Sequence, residues 1–192
     1  MKTCETRLPA GYRLAGKVDA GEKRFVRKLT LWAAGVMAVL IAAGALLYRP
    51  QLRTVTPLKC FLFAAGYLAY IVLHELAHGA VYALLTRHKL TFGFNLSVAY
   101  CGVKDIFVYR KTALLSLLAP FVLFGALFGT LAAVTAGTEG FLWFTLLAVH
   151  TGGCAGDVYD TFLFLNRYRD PSVLMRDTGP AQFFYQKENR PA

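Results

Sequence analysis

The residues with the clearest capacity for chemistry are His74-Glu75-Leu76-Ala77-His78. On a helix of 3.6 residues per turn, side chains four apart project from one face, so His74 and His78 can ligate the same cation. Glu75 lies beside them, able to take a proton from a water whose pKa the metal draws toward neutrality. His74 and His78 are thus expected as ligands of Zn2+, with Glu75 as the catalytic base. The competing reading is a buried His–Glu hydrogen-bonded pair that joins helices without a metal. Ionisable groups inside a membrane segment are functional candidates by default, which favours the metal.

Catalytic zinc usually keeps three protein ligands and one open position, so a further ligand is needed. The candidates in the later apolar stretch are His150, Asp157 and Asp160. Depth favours Asp157, because His78 lies eight residues before Thr86 and Asp157 lies nine before Asn166. Asp160 is one turn nearer the end of that stretch. His150 shares a face with Asp157 but stands ~10 Å away at 1.5 Å per residue, which suits a cavity lining better than a ligand. Gly152, Gly153, Ala155 and Gly156 permit close helix approach or a local break, either of which would let a short aspartate reach a metal.

The surrounding chain must place these groups in an apolar setting. Of 192 residues, 56% are hydrophobic and only 17% charged, and the charges gather near the two ends. Spanning helices need about 20 mostly apolar residues, and four such stretches are expected, over about residues 29–48, 57–86, 112–135 and 141–166. The first reads as an uncleaved signal anchor. Residues 90–109 alternate and are rich in aromatic and β-branched types, which predicts a β-hairpin. The expected fold class is an all-α membrane protein of about four transmembrane helices, with a small hairpin-like membrane-surface segment between the second and third. Its parts are a basic cytoplasmic N-terminal segment (1–28), loosely ordered with at most a short helix, a four-span metalloprotease domain (29–166) and a polar cytoplasmic tail (167–192).

The net charge of +10 raises the question of nucleic acid. No basic helix or aromatic-basic interleaving supports such a partner. Lys and Arg instead sort by loop: eight before the first span, five in residues 87–111 and five after the fourth, against Arg49, Arg53 and Lys59 on the other side. That asymmetry predicts a multi-pass cell-membrane protein with both termini cytoplasmic, in contact with anionic lipid. Cys4, Cys60, Cys101 and Cys154 show no paired spacing and suggest neither a disulfide framework nor a thiolate zinc site.

His74-Glu75-Leu76-Ala77-His78-Gly79, Ala119-Pro120, Gly156-Asp157 and Asp177 together resemble the site-2 protease clan. More closely, the chain resembles a group of compact bacterial membrane proteins classed as zincin peptidases. The resemblance covers about residues 57–180. It implies a membrane-embedded zinc endopeptidase with His74, His78 and Asp157 as ligands and Glu75 as base. The aspartate stands in a Gly156-Asp157-Val158 context, where site-2 proteases typically have Leu-Asp-Gly. The implied partner is a membrane-protein or membrane-proximal peptide substrate.

Such a substrate must be held extended, and an edge strand in 90–109 could do so by β-augmentation; a plain surface anchor is the alternative there. Asn95 is a candidate second donor to the oxyanion, and Asp177 is expected as a cap or tail contact. A catalytically silent metal-binding regulator or partner subunit is the alternative function, and the intact Glu75 argues against it. Four spans with a single polar cluster and no inverted repeat make a poor transporter.

Overall fold

The computed structural model describes residues 2–94 and 99–188, so Asn95 lies outside the described residues. The chain divides into two compact units, one of residues 27–74 and 120–156, the other of residues 1–26, 75–119 and 157–192.

The first unit is helical. It takes in most of α1 (Lys23–Leu47), the first part of α2 (Pro57–Thr86), the later part of α3 (Arg110–Val134) and α4 (Gly137–Gly153). Helices α1, α2 and α3 have 25, 30 and 25 residues, long and apolar enough to cross a membrane. Leu46, Leu47, Leu62, Leu68 and Val122 stay exposed on them, an apolar surface that lipid accommodates and water does not. Inside the unit, Gly152 lets α4 lie against α1, since a Cβ there would overlap Met37 and come within 3.1 Å of the Ala33 carbonyl.

The stretch expected as a fourth span is two helices, α4 and α5 (Ala155–Asn166), separated at Cys154. With 17 and 12 residues, neither has spanning length alone, so among the described residues three helices rather than four qualify by length and composition. Gly152 and Gly153 raise the entropic cost of continuing the helix there. The break puts Asp157 in the first turn of α5, where a carboxylate meets the positive end of the helix dipole.

The second unit contains a sheet, which corrects the all-α expectation. Strands β1 (Cys4–Glu5), β2 (Tyr12–Asp19), β5 (Phe107–Tyr109), β6 (Leu174–Asp177) and β7 (Ala181–Lys187) form one antiparallel sheet in the order β1-β5-β6-β7-β2. The N-terminal stretch, expected to be loosely ordered, therefore supplies two strands, and the polar tail supplies two more. Their pairing is non-local: Tyr12 faces Lys187 and Asp19 faces Ala181. Strand preference depends on cross-strand neighbours, and these are absent from any local window of sequence.

A hairpin is present, but with other arms than the sequence suggests. That reading has arms at 90–100 and 106–109 with a turn at 101–105, whereas β3 (Thr91–Phe94) pairs with β4 (Ala99–Gly102), Thr91 opposite Gly102. Strand β5 does not extend that pair and joins the larger sheet instead. The core of this unit gathers Val103, Ile106, Val108, Leu117, Phe164 and Phe184, each at most 5% exposed. Arg110 closes it, its guanidinium donating to the carbonyls of Phe164 and Tyr168 at the end of α5.

Candidate metal centre

Helix α2 runs unbroken through the motif, so His74 and His78 stand one turn apart on one element. They belong to a longer stripe at four-residue intervals, Tyr70, His74, His78 and Tyr82, with every member buried. Most of the other large side chains of α2 are apolar and exposed, Leu62, Leu68, Val72, Leu76 and Leu84 among them. The stripe is thus the polar, inward face of an otherwise lipid-compatible helix. Glu75 is half-buried beside it.

In the second unit, His78 is held by backbone. Its Nδ1 lies 2.8 Å from the Ser116 carbonyl oxygen. A carbonyl only accepts, so Nδ1 carries the hydrogen and the neutral ring keeps its lone pair on Nε2. That nitrogen lies 3.4 Å from Asp157 Oδ1. The Ser116 carbonyl is available for a reason written in the sequence. Its helical partner would be the N–H of residue 120, which is a proline inside α3. Proline has no N–H to give, and its ring presses on the carbonyl four residues back, turning it outward. The Ser116 hydroxyl donates in return to the His78 carbonyl at 3.3 Å. Gly79 completes this side, because a Cβ there would meet Cys101 Sγ and Leu90 Cδ1 at 3.0 Å, and its absence lets the hairpin lie on α2.

In the first unit, His74 is held by side chains. Its Nδ1 lies 3.1 Å from the Tyr70 hydroxyl, which lies 2.7 Å from His150 Nδ1. His150 Nε2 in turn lies 3.2 Å from the Phe121 carbonyl. The terminal carbonyl sets the direction of the whole chain. His150 donates through Nε2 and accepts at Nδ1, the Tyr70 hydroxyl donates to His150, and His74 donates from Nδ1 to Tyr70. His74 is left, like His78, with its lone pair on Nε2.

The other expected residues sort as follows. Asp157 is half-buried against His78. Asp160 is buried, and its Oδ1 has no hydrogen-bond partner among the described residues. His150 serves the His74 relay and is walled by the rings of Phe121, Phe124 and Phe128. Its ligand-type nitrogen also groups with His74 and Cys154, all three ligand atoms lying within 4.8 Å of one another.

Asp177 does more than a tail contact would. It accepts from the Tyr82 hydroxyl at 2.9 Å and from the Gly179 N–H at 2.9 Å, tying β6 to the helix that carries the histidines. Burial pushes its carboxyl up to about 6, against the lowering pull of those two donors.

Sequence reasoning did not single out Tyr70, Tyr82, Ser116 or Cys154. A signal existed for the tyrosines, which continue the four-residue spacing of the histidines on both sides. None existed for Ser116, whose contribution is a backbone oxygen.

Residues 67–170, just over half of the chain, match the model of one family, described as "Putative zincin peptidase". No curated protein and no solved structure matches the chain.

Proposed function

The chain belongs to the family so described, and on that premise we propose that it is a zinc-dependent, membrane-embedded endopeptidase, similar to site-2 proteases, that hydrolyses peptide bonds in or beside the bilayer. The observation that carries the reading is the arrangement of His78. Its Nδ1 is committed to the Ser116 carbonyl while its Nε2 faces Asp157 Oδ1 at 3.4 Å.

His74, His78 and Asp157 would hold the zinc. The donor set fits, with two neutral imidazoles offering Nε2 and one carboxylate offering oxygen, the ligand types zinc takes. With Glu75 alongside, two negative charges balance a divalent cation in an apolar setting. Zinc, when bound, supplies Lewis-acid polarisation of the scissile carbonyl and a lowered pKa for the attacking water. Glu75 takes the proton of that water and returns it to the amide nitrogen as the C–N bond breaks. The Tyr70–His150 relay and the Ser116 carbonyl keep both imidazoles in the ligating tautomer. An extended substrate would add to the two-stranded β3–β4 sheet by β-augmentation.

Parity supports a membrane orientation within this proposal. Strands from the N-terminal stretch, from the α2–α3 connection and from the tail share one sheet, so these three segments lie on one side of the bilayer. Helix α1 leaves that side and α2 returns; α3 leaves, so the chain must return through α4 and α5. Four crossings result, the last made by a broken helix. The basic residues of the three segments favour the cytoplasm for that side, giving a multi-pass cell-membrane protein with both termini inside.

Metal analysis of the purified full chain tests the assignment. Wild type and Glu75→Gln are expected to hold one zinc per chain, His78→Ala to lose it, and only wild type to cleave a transmembrane-segment substrate. Wild type that carries no zinc after metal-buffered purification would sink the proposal. Zinc retained without hydrolysis would favour a silent metal-binding subunit.

A further inference from the structure

The break between α4 and α5 does something the proposed zinc chemistry does not use. Cys154, the residue at the break, places its Sγ 3.5 Å from His150 Nδ1, the nitrogen that the Tyr70 hydroxyl also reaches, at 2.7 Å. His74 completes the group, with its ligand nitrogen, that of His150 and the Cys154 sulfur all within 4.8 Å of one another. His150 and Cys154 are fully buried and His74 is 9% exposed. Phe121, Phe124 and Phe128 stand around His150 with ring centroids 5.9, 6.2 and 5.9 Å away. Two imidazoles and a thiol thus converge in a buried, aromatic-walled cluster.

We propose that His74, His150 and Cys154 form a second metal site, selective for a soft monovalent cation, copper(I) or its analogue silver(I), and that its occupation competes with zinc for His74. The competitive half rests on the zinc reading above; the site itself does not.

Two arguments select the ion. The first is softness: a sulfur ligand with imidazoles, free of carboxylate, suits copper(I) better than a hard divalent ion. The second is charge. On binding, the Cys154 thiol releases its proton to solvent and the sulfur bonds the metal, so copper(I) plus thiolate sums to zero. Zinc in the same place would leave one positive charge uncompensated among phenylalanine rings. The proposed zinc set has the opposite balance, since Asp157 and Glu75 together match a divalent ion. A neutral imidazole has one lone pair, so His74 can serve one of the two cations at a time. Occupation of the sulfur site would therefore withdraw a ligand from the catalytic metal.

The test is an anaerobic titration of the purified full-length protein in detergent, with copper(I) buffered by bicinchoninate. Wild type is expected to bind one copper per chain and to release its zinc as it does so. Cys154→Ser should weaken copper binding by at least the roughly 10- to 100-fold that loss of even an outer-shell partner costs, while keeping zinc. Cys101→Ser, which removes the other buried thiol, should bind copper as wild type does. Asp157→Asn should lose zinc and keep copper. His150→Gln is the second probe of the sulfur site should Cys154→Ser fail to fold, and it should lose copper too. Equal copper affinity in wild type and in the Cys154 or His150 variant would overturn the site. One copper and one zinc bound together would overturn the competition. Copper that depends on Cys154, in a protein that never binds zinc, would sink the zinc reading and leave this site standing.

Discussion

His78, in the sheet-bearing unit, and His74, in the helical unit, lie one turn apart on α2 yet are oriented by different kinds of partner. A backbone carbonyl holds His78, and a chain of side chains through Tyr70 and His150 holds His74. The difference sets how each can fail. A carbonyl cannot be deleted by exchanging the side chain of Ser116; it can be withdrawn only by changing what makes it available, which is Pro120. The relay can be cut at any member. It also passes beside Cys154, so it is the side on which another cation can interfere.

The largest effect on the metal within this comparison is expected from Pro120→Ala. Restoring the N–H at 120 draws the Ser116 carbonyl back into its own helix and away from His78, lowering zinc affinity by about 10- to 100-fold. The same change removes a helix-interior proline and should leave thermal stability unchanged or higher. Chelator competition and a melting curve on one preparation check both signs. A variant that loses stability along with zinc would show Pro120 to be structural only.

Tyr70→Phe is expected next, at about tenfold in zinc affinity, because it removes the acceptor for His74 Nδ1–H but leaves the ring free to find another. Double mutants with Pro120→Ala sharpen the point. If the two supports act on separate ligands, the losses in the cycle add; strong coupling would mean that one support holds both rings.

The smallest effect on the metal is expected at Asp177, which acts on α2 through Tyr82, and its signature lies in stability against pH. Its folded pKa of about 6 is above the ordinary 3.8, chiefly through burial, with the Gly179 N–H and the Tyr82 hydroxyl pulling it down. The folded state therefore holds the proton more tightly than the unfolded chain. The stability this contributes is fully present below about pH 4 and is lost as pH rises through about 6. Melting temperature should fall across that window in wild type and less so in Asp177→Asn. Parallel profiles would show that the carboxyl titrates as it does in the unfolded chain.

Parts of this molecule were plain in the sequence because their signals are local. The apolar runs behind α1, α2 and α3 need only composition and length, and His74 and His78 need only the helical repeat. The continuation of that repeat to Tyr70 and Tyr82 was there to be read as well. The sheet was not, because Tyr12 and Lys187 have no local property that marks them as neighbours. Residues 141–166 look like one span because hydropathy averages over the break at Cys154 that two preceding glycines make easy.

The sequence by itself determined the chemical inventory: a helix with two imidazoles on one face, a carboxylate next to them, and enough apolar length to bury them in lipid. It also contained Pro120, though not what Pro120 is for. Only the tertiary structure decided which nitrogen of each histidine is offered, since a tautomer depends on what the opposite nitrogen meets. The Ser116 carbonyl lies 38 positions from His78 along the chain, and Tyr70 is fixed in turn by His150, 80 positions from Tyr70 itself.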